Sequence, residues 1–100
     1  MENQHRKISG YRELSQEEID LMNRIKSQGR ELMVLCDELK GALEKQQREK
    51  MHNATSNTDD NAEFERFVDA EPIRWADIGK TDIQTGIMAL VRAVAQPVGV

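Results

Sequence analysis

A long stretch without proline, in which apolar residues return every seven positions, is the feature that most constrains the fold. The stretch opens at Ser15 and continues to Lys50. Two interleaved rows form the repeat: Met22, Gly29, Cys36 and Leu43 in the first, and Ile25, Leu32 and Leu39 in the second. Such a period is typical of a helix that packs along a coiled-coil-like seam. Ser15 and Glu18 have the spacing of a capping box, which marks the first turn.

A shorter helical pattern lies near the end of the chain, between Ile73 and Gln96. Thr81 and Gln84 also have capping-box spacing, so we expect a helix to begin at Thr81 and to end before Pro97. The apolar residues of this pattern fall on one helical face: Ile83, Ile87, Leu90, Val91 and Val94. A neighbouring face has small residues that allow another helix to approach closely: Gly86, Ala89 and Ala93.

The segment between the two patterns is polar, and we expect a loop there. A short apolar patch with helical spacing follows it: Phe64, Phe67 and Val68. A chain of 100 residues is expected to form one domain. We expect an arm (1–14), a long helix (15–52), a polar linker (53–61), and a short helix plus a C-terminal helix (62–100). The predicted fold class is all-α, with the long N-terminal helix packed against the shorter C-terminal helix.

The unequal lengths of the two helices bear on assembly. A helix of about 35 residues spans roughly 50 Å. One partner of about 15 residues and a short patch cannot cover a seam of that length. We therefore expect a compact helical homo-oligomer, and the alternative is a monomeric helical hairpin with a frayed end.

The distribution of charge excludes some partners. Residues 51–70 carry one basic and five acidic residues and account for the whole net charge of −4. Proteins that bind duplex nucleic acid have a basic balance, because phosphate neutralisation drives their affinity. No apolar run approaches the roughly 18 residues of a membrane span, and residues 1–7 lack the apolar stretch of a signal peptide. We expect a cytoplasmic protein that binds neither duplex nucleic acid nor membrane.

The residues that usually carry catalysis are sparse. The single cysteine, Cys36, excludes a disulfide framework, and its seam position favours a small buried hydrophobe over a nucleophile. His5 and His52 have no base or metal ligand nearby in sequence. Gly79-Lys80-Thr81 resembles the end of a phosphate-binding P-loop, but Arg74 stands where that loop needs a glycine. We expect no enzyme activity, no metal and no cofactor.

Two groups of residues in the last third of the chain are open to a ligand-binding interpretation. At the expected helix start, Lys80 and Thr81 together with free backbone amides suit a phosphate, although an ordinary helix cap explains them too. Trp75 beside Arg74 is either a core anchor or a stacking platform.

A second candidate lies near the N-terminus. Tyr11 is one of four aromatic residues, and Lys26 faces away from the seam. An aromatic ring and a cation suit a base and a phosphate, whereas a packing residue and a solvated cation are the ordinary interpretation. A glycine inside a helix, such as Gly29, is about 1 kcal/mol less favourable than alanine. Its presence indicates that a backbone or a ligand approaches the helix closely at this position.

Two blocks of the sequence resemble the phage anti-CBASS protein 2 family: ISGYRELSQEEIDLMNRIK at 8–26 and RWADIGKTDIQTGIMALVRAVAQP at 74–97. The family consists of small proteins that sequester the cyclic oligonucleotide messengers of bacterial antiphage signalling. The resemblance covers both ends of the chain and skips the polar middle. It implies a homohexamer built as a trimer of dimers, acting in the cytoplasm of the infected bacterial host. Its expected ligands are cyclic dinucleotides, such as 3′,3′-cGAMP, and cyclic trinucleotides.

The resemblance also implies roles for particular residues. In the dinucleotide site, Tyr11 stacks on a base and Lys26 pairs with a phosphate, with Gly29 and Arg30 beside them. The trinucleotide site falls on Lys80, Thr81, Thr85 and Gly86, with one arginine among Arg66, Arg74 and Arg92. The competing hypothesis is a helical oligomer that docks on a host or phage protein. A cyclic nucleotide phosphodiesterase comes third, because the sequence lacks a metal or general-base cluster.

Overall fold

The computed structural model describes residues 12–54 and 58–98, and every regular element in these ranges is a helix. The helices are α1 (Gln16–Asn53), α2 (Thr58–Ala70) and α3 (Pro72–Ala95). The predicted all-α class is confirmed, as is the packing of the long N-terminal helix against the C-terminal one. None of the helices in the described ranges is both long enough and apolar enough to cross a membrane.

The capping box predicted at the start of α1 is confirmed. The backbone N–H of Glu18 donates to Ser15 Oγ at 3.1 Å, and the backbone N–H of Ser15 donates to Glu18 Oε1 at 2.9 Å. Two amides that the helix cannot pair internally are thereby satisfied. The helix then runs for 38 residues, within one residue of the predicted bounds 15–52.

The second helix begins earlier than the sequence predicted. α2 starts at Thr58, so the last four residues of the predicted linker 53–61 are helical. Asp59 and Asp60 occupy the first turn, where negative side chains interact favourably with the positive end of the helix dipole. A cluster of Asn, Thr and Asp therefore serves here as a helix start, although the same composition is typical of a loop.

The third helix also begins earlier, and the prediction of a helix start at Thr81 is wrong. α3 starts at Pro72, a residue suited to the first helical position because it has no N–H to satisfy. A single left-handed residue, Glu71 with φ 49°, separates it from α2. At the other end, the Gln96 N–H donates to the Arg92 carbonyl at 2.7 Å, and Gln96 has φ 51°. The helix therefore ends before Pro97, as predicted.

The chain divides into two compact units, one formed by Met1–Glu31 with Ile83–Val100 and the other by Leu32–Asp82. In the first unit, Gly29 is buried and faces the side chain of Ile87. A Cβ at position 29 would lie 2.6 Å from Ile87 Cδ1 and 3.1 Å from Cγ1. Helices α1 and α3 thus approach each other at Gly29 more closely than a larger residue allows.

In the second unit, ion pairs join α1 to the early part of α3. Lys40 Nζ lies 3.1 Å from Asp77 Oδ1, and Lys80 Nζ lies 2.8 Å from Asp37 Oδ1. All four side chains are at least one-third exposed, so the pairs contribute little free energy. They do, however, favour one register of α1 against α3.

The apolar patch of α2 anchors the rest of the second unit. Phe67 is only 4% exposed, whereas Phe64 is half-buried and Val68 is 47% exposed. Lys50 Nζ lies 6.0 Å from the centroid of the Phe67 ring and 2.9 Å from Glu63 Oε2. The end of α1 is therefore held to α2 by Lys50, which contacts both the buried Phe67 ring and the Glu63 carboxylate.

Only part of the predicted seam of α1 faces the interior of its unit. In the first row Gly29 is buried, and the others are half-buried: Met22, Cys36 and Leu43. In the second row Ile25 is half-buried, but Leu32 is 41% and Leu39 is 49% exposed. The inward positions continue instead through Met33, Lys40 and Gln47. Met33, Lys40 and Gln47 are also seven residues apart, so the seven-residue period persists, but from residue 32 onward its second row lies one position later than the sequence predicted.

Candidate functional site

The residues expected to bind a cyclic dinucleotide belong to the first unit. Lys26 and Arg30 are both exposed and stand four residues apart on α1, so they are neighbours on one helical face. Within the described part of the chain, neither takes part in an ion pair. Two exposed cations that lack a counter-charge among residues 12–54 and 58–98 suit an anionic ligand. Tyr11 lies outside the described residues.

Gly29 stands beside these cations in sequence but faces another direction. Its Cα is covered by Ile87, whose Cδ1, Cγ1 and Cγ2 atoms would lie 2.6–3.3 Å from an added Cβ. The close approach that the sequence predicted at Gly29 is therefore made by a side chain of α3. Contact between two helices of the same chain explains this glycine without a ligand.

Arg12 is the residue of this unit that sequence reasoning missed. Its Nη2 lies 2.5 Å from Glu18 Oε2 and donates to the Val94 carbonyl, and its Nε donates to the Ala95 carbonyl. The Arg12 guanidinium, followed by the Ser15 backbone amide, lowers the pKa of Glu18 from 4.5 to about 2. The carbonyls lie 82 and 83 residues away in sequence, so no local pattern points to them.

The arginines proposed for the trinucleotide site already have partners in this chain. Arg66 Nε and Nη2 donate to the two carboxylate oxygens of Glu63 at 2.8 and 2.6 Å. Arg66 and then Lys50 lower the pKa of Glu63 from 4.5 to about 2. Arg74 stacks on Trp75, with its guanidinium carbon 5.2 Å from the ring centroid. Trp75 is 59% exposed, which favours a stacking platform over a core anchor.

Lys80 and Thr81 lack the anion-binding setting that the sequence predicted. Because α3 begins at Pro72, the backbone amides near Thr81 lie inside the helix and no dipole end is available there. Lys80 is paired with Asp37, whose carboxylate raises the pKa of the lysine.

Two acidic neighbours of Thr81 also disfavour a phosphate. Thr81 lines a shallow depression of about 360 Å³ together with Asp77, Ile78 and Asp82. The carboxylates at its edge repel an anion. The second unit therefore presents no ready phosphate pocket at this position.

The remaining trinucleotide candidates lie in the first unit. Thr85 and Gly86 are exposed, and a Cβ at Gly86 would meet nothing within 4 Å. Arg92 is exposed in the last turn of α3. Among the described residues, no side chain requires the glycine at position 86, in contrast to Gly29.

Exposed apolar side chains remain on α1 after the chain has folded. Leu32, Leu35 and Leu39 are 41%, 57% and 49% exposed, and their spacing places them on one face. We call them the α1 row. Among the described residues, no three His, Cys, Asp or Glu side chains are placed to hold a metal ion.

The described residues define a small all-α protein whose long first helix packs against its last helix. A family model described as "Acb2/Tad1, hairpin domain" matches residues 6–95, so the chain belongs to that family. Anti-CBASS protein 2 of Pseudomonas phage JBD67 is 52% identical to it over an alignment of 107 residues, which covers 99% of each protein. The resemblance noted in the sequence is confirmed.

Proposed function

We propose that this protein counteracts CBASS defence during phage infection by sequestering cyclic oligonucleotides without cleaving them. The ligands are cyclic dinucleotides, such as 3′,3′-cGAMP, and cyclic trinucleotides, and the setting is the cytoplasm of the infected bacterial host. The observation that carries the proposal is the 52% identity, across 99% of both chains, to anti-CBASS protein 2 of Pseudomonas phage JBD67. Sequestration acts by mass action, so it requires abundance and an affinity below the signalling concentration of the messenger.

The exposed cations of α1 support a site for cyclic dinucleotides. Lys26 and Arg30 have no ion-pair partner among the described residues, so a ligand phosphate does not have to displace a carboxylate of that part of the chain. In our proposal Tyr11 supplies an aromatic ring for a base. Stacking contributes roughly 1–3 kcal/mol per base, and a charge-assisted contact contributes about 1.5–3 kcal/mol. Two of each contribute roughly 5–12 kcal/mol before the cost of ordering the ligand and the side chains. Nanomolar binding, near −12 kcal/mol, therefore requires further contacts in the assembled site.

Symmetry provides the two copies of each group. A cyclic dinucleotide has approximate twofold symmetry, and a twofold protein interface presents every residue twice. A cyclic trinucleotide matches a threefold axis in the same way. A hexamer built as a trimer of dimers contains both kinds of axis, and the α1 row offers apolar surface for its contacts.

The trinucleotide site depends more strongly on assembly. Within one chain, Arg66 and Lys80 are held by carboxylates. Thr85 and Gly86 are exposed, and Gly86 has open space beside it. Our proposal is that a second copy, or the ligand itself, occupies the space beside Gly86.

The dinucleotide site is tested by calorimetry with 3′,3′-cGAMP. Lys26→Ala and Tyr11→Ala should abolish measurable binding, because each removes two contacts from a twofold site. Lys45→Ala is the matched control, since Lys45 is an exposed lysine of α1 in the other unit and has no described ion pair. Nanomolar affinity in Tyr11→Ala or Lys26→Ala would remove the site.

The trinucleotide site is tested with Gly86→Ala. A Cβ at Gly86 has open space within the chain, so the substitution should leave folding intact and weaken only cyclic trinucleotide binding. Gly41→Ala, which is equally open, is the control. Full competition between saturating cyclic dinucleotide and the trinucleotide would show a single pocket and refute the two-site proposal.

The same α1 row supports a second candidate, a helical oligomer that docks on a host or phage protein. Incubating the messenger with the protein, denaturing the protein and separating the products by chromatography distinguishes the candidates. Intact messenger recovered from the protein indicates sequestration, cleaved messenger indicates a phosphodiesterase, and no uptake indicates docking. Light scattering should give a mass of six chains of 11.4 kDa each. A monomer that still binds tightly would refute the assembly.

A further inference from the structure

The α1 row belongs to a longer pattern on one face of α1. The residues of this face follow each other at intervals of four and three positions, which is the spacing of a coiled-coil seam. They are Gln28, Leu32, Leu35, Leu39, Ala42 and Gln46. All of them are exposed. An apolar stretch with a glutamine at each end therefore faces outward from α1.

This pattern is nearly the same when it is read from either end. Three pairs of positions share a midpoint at Asp37, and they are Leu35 with Leu39, Leu32 with Ala42, and Gln28 with Gln46. When two identical helices run antiparallel about a twofold axis, the two members of each such pair face one another. Leucine then faces leucine at the centre, a large residue faces a small one further out, and an amide faces an amide at both ends. The face is therefore complementary to itself.

The two edges of the face differ in chemistry. One edge points toward the interior of the chain, where Gly29 is buried and Cys36 and Leu43 are half-buried. On the other edge every seventh residue is exposed and charged: Glu31, Glu38 and Lys45. Within the described ranges, none of these three takes part in an ion pair. A second helix that covers the α1 row therefore lies against this charged edge.

The charges favour an antiparallel orientation of the second helix. Glu31 and Lys45 are equally distant from Glu38, so an antiparallel copy brings Glu31 close to Lys45 of the second copy, and symmetry repeats the contact. Glu38 is one residue, or about 1.5 Å along the helix, from the midpoint of the apolar pairs. Apolar and charged pairs therefore form in the same register. In a parallel pair, each charge would stand at the height of its own copy, and charges at the flanks of paired helices set their orientation.

We propose that the α1 row, together with Ala42, forms a twofold antiparallel interface with the same face of a second copy of this chain. The inference rests on the assembly in the proposed function, to which it assigns one specific contact. The apolar residues supply most of the free energy of association, whereas the exposed charged pairs contribute little and set the orientation. The arrangement has one unfavourable feature, because the two copies of Glu38 approach each other near the twofold axis.

Exchange of the charges tests the orientation. Association of the full chain is measured by light scattering and sedimentation over a dilution series. Glu31→Lys and Lys45→Glu each create two like-charged contacts, so each should raise the dissociation constant at least about threefold. The variant with both substitutions restores opposite charges and should return to within about twofold of the parent. Lys45→Ala adds no repulsion and should assemble like the parent.

Two further variants complete this series. Glu44→Lys makes the same change in net charge at an exposed position on the other side of α1, so it is the control and should associate like the parent. Glu38→Gln removes the repulsion near the axis and should lower the dissociation constant. A combined Glu31→Lys and Lys45→Glu variant that associates no better than the single variants would overturn the proposal.

Cross-linking tests the register without depending on affinity. A short bismaleimide is used in a Cys36→Ala background, because Cys36 is the single native cysteine. Glu38→Cys should form linked dimers efficiently, since the two copies of position 38 lie next to the axis. Glu31→Cys should not, because its own copy lies about 21 Å away along the helix, opposite Lys45. Equal linking of the two variants would indicate a parallel or irregular contact and would overturn the proposal.

The outcomes distinguish this interface from the function on which it rests. If the charge exchange and the cross-linking behave as expected but calorimetry shows no binding of 3′,3′-cGAMP, the proposed function is wrong and the interface stands. If the parent binds the messenger as an oligomer but Glu31→Lys assembles like the parent and Glu38→Cys does not link, only the interface is wrong. A parent that is monomeric at every concentration would overturn the interface and leave the α1 row to a different protein.

Discussion

Gly29→Ala tests the closest contact between α1 and α3. An added Cβ would lie 2.6, 3.1 and 3.3 Å from Cδ1, Cγ1 and Cγ2 of Ile87. Rotation about χ2 moves Cδ1 away but leaves Cγ1 and Cγ2 in place, and a β-branched residue in a helix has one strongly preferred χ1 rotamer. The two helices must therefore move apart by a few tenths of an ångström.

Two opposing terms set the size of the effect. Overpacking of this kind costs about 1–3 kcal/mol. The gain in helix propensity from glycine to alanine returns about 1 kcal/mol. We expect Gly29→Ala to lower the free energy of unfolding by roughly 0–2 kcal/mol. Gly41→Ala gains the same helix propensity, and an added Cβ at position 41 has no neighbour within 4 Å. This substitution should therefore raise the free energy of unfolding by up to about 1 kcal/mol.

The assay is urea unfolding followed by circular dichroism. All variants are compared at one protein concentration, because the proposed assembly would make stability depend on concentration. The difference between Gly41→Ala and Gly29→Ala isolates the packing cost and should be about 1–3 kcal/mol. Adding Ile87→Val to Gly29→Ala removes the Cδ1 atom and should recover part of that cost. A Gly29→Ala protein as stable as Gly41→Ala would refute the close approach.

Three further predictions concern caps and charges. Ser15→Ala removes the hydroxyl of the capping box and should lower the free energy of unfolding by about 0.5–2 kcal/mol, measured by urea unfolding; an unchanged value would mean that the cap is replaced. The folded-state pKa values of Glu18 and Glu63 lie near 2, below the ordinary 4.5, so their stabilising contribution is complete above pH 4.5 and is lost as the pH falls toward 2. Glu63→Gln removes one of these carboxylates, so the free energy of unfolding should fall less steeply between pH 4.5 and 2. An unchanged dependence on pH would contradict the ion pairs of Glu63 with Arg66 and Lys50. Lys80→Ala breaks an exposed pair with Asp37 and should change stability only slightly, and less in high salt.

Some features of the candidate site were predicted from the sequence, and others became evident only in the structure. Lys26 was placed on the exposed side of α1 by periodicity alone, and the structure agrees. Periodicity did not reveal that Gly29 is covered by Ile87, because that contact joins residues 58 positions apart. Thr81 shows the opposite error: a capping-box spacing was read as a helix start, although Pro72 had already begun the helix. Short cap patterns recur inside helices, so a cap identified by spacing alone needs the preceding backbone to confirm it.

What the sequence determined by itself is local. The length of α1, its cap at Ser15 and Glu18, and the all-α class follow from a regular apolar period and from hydrogen bonds between near neighbours. The tertiary structure decided everything that depends on which faces meet: the outward position of Leu32 and Leu39, and the clamp of Arg12 on the end of α3. The physical reason is that periodicity specifies an apolar face, whereas the partner of that face depends on the relative position of helices distant in sequence.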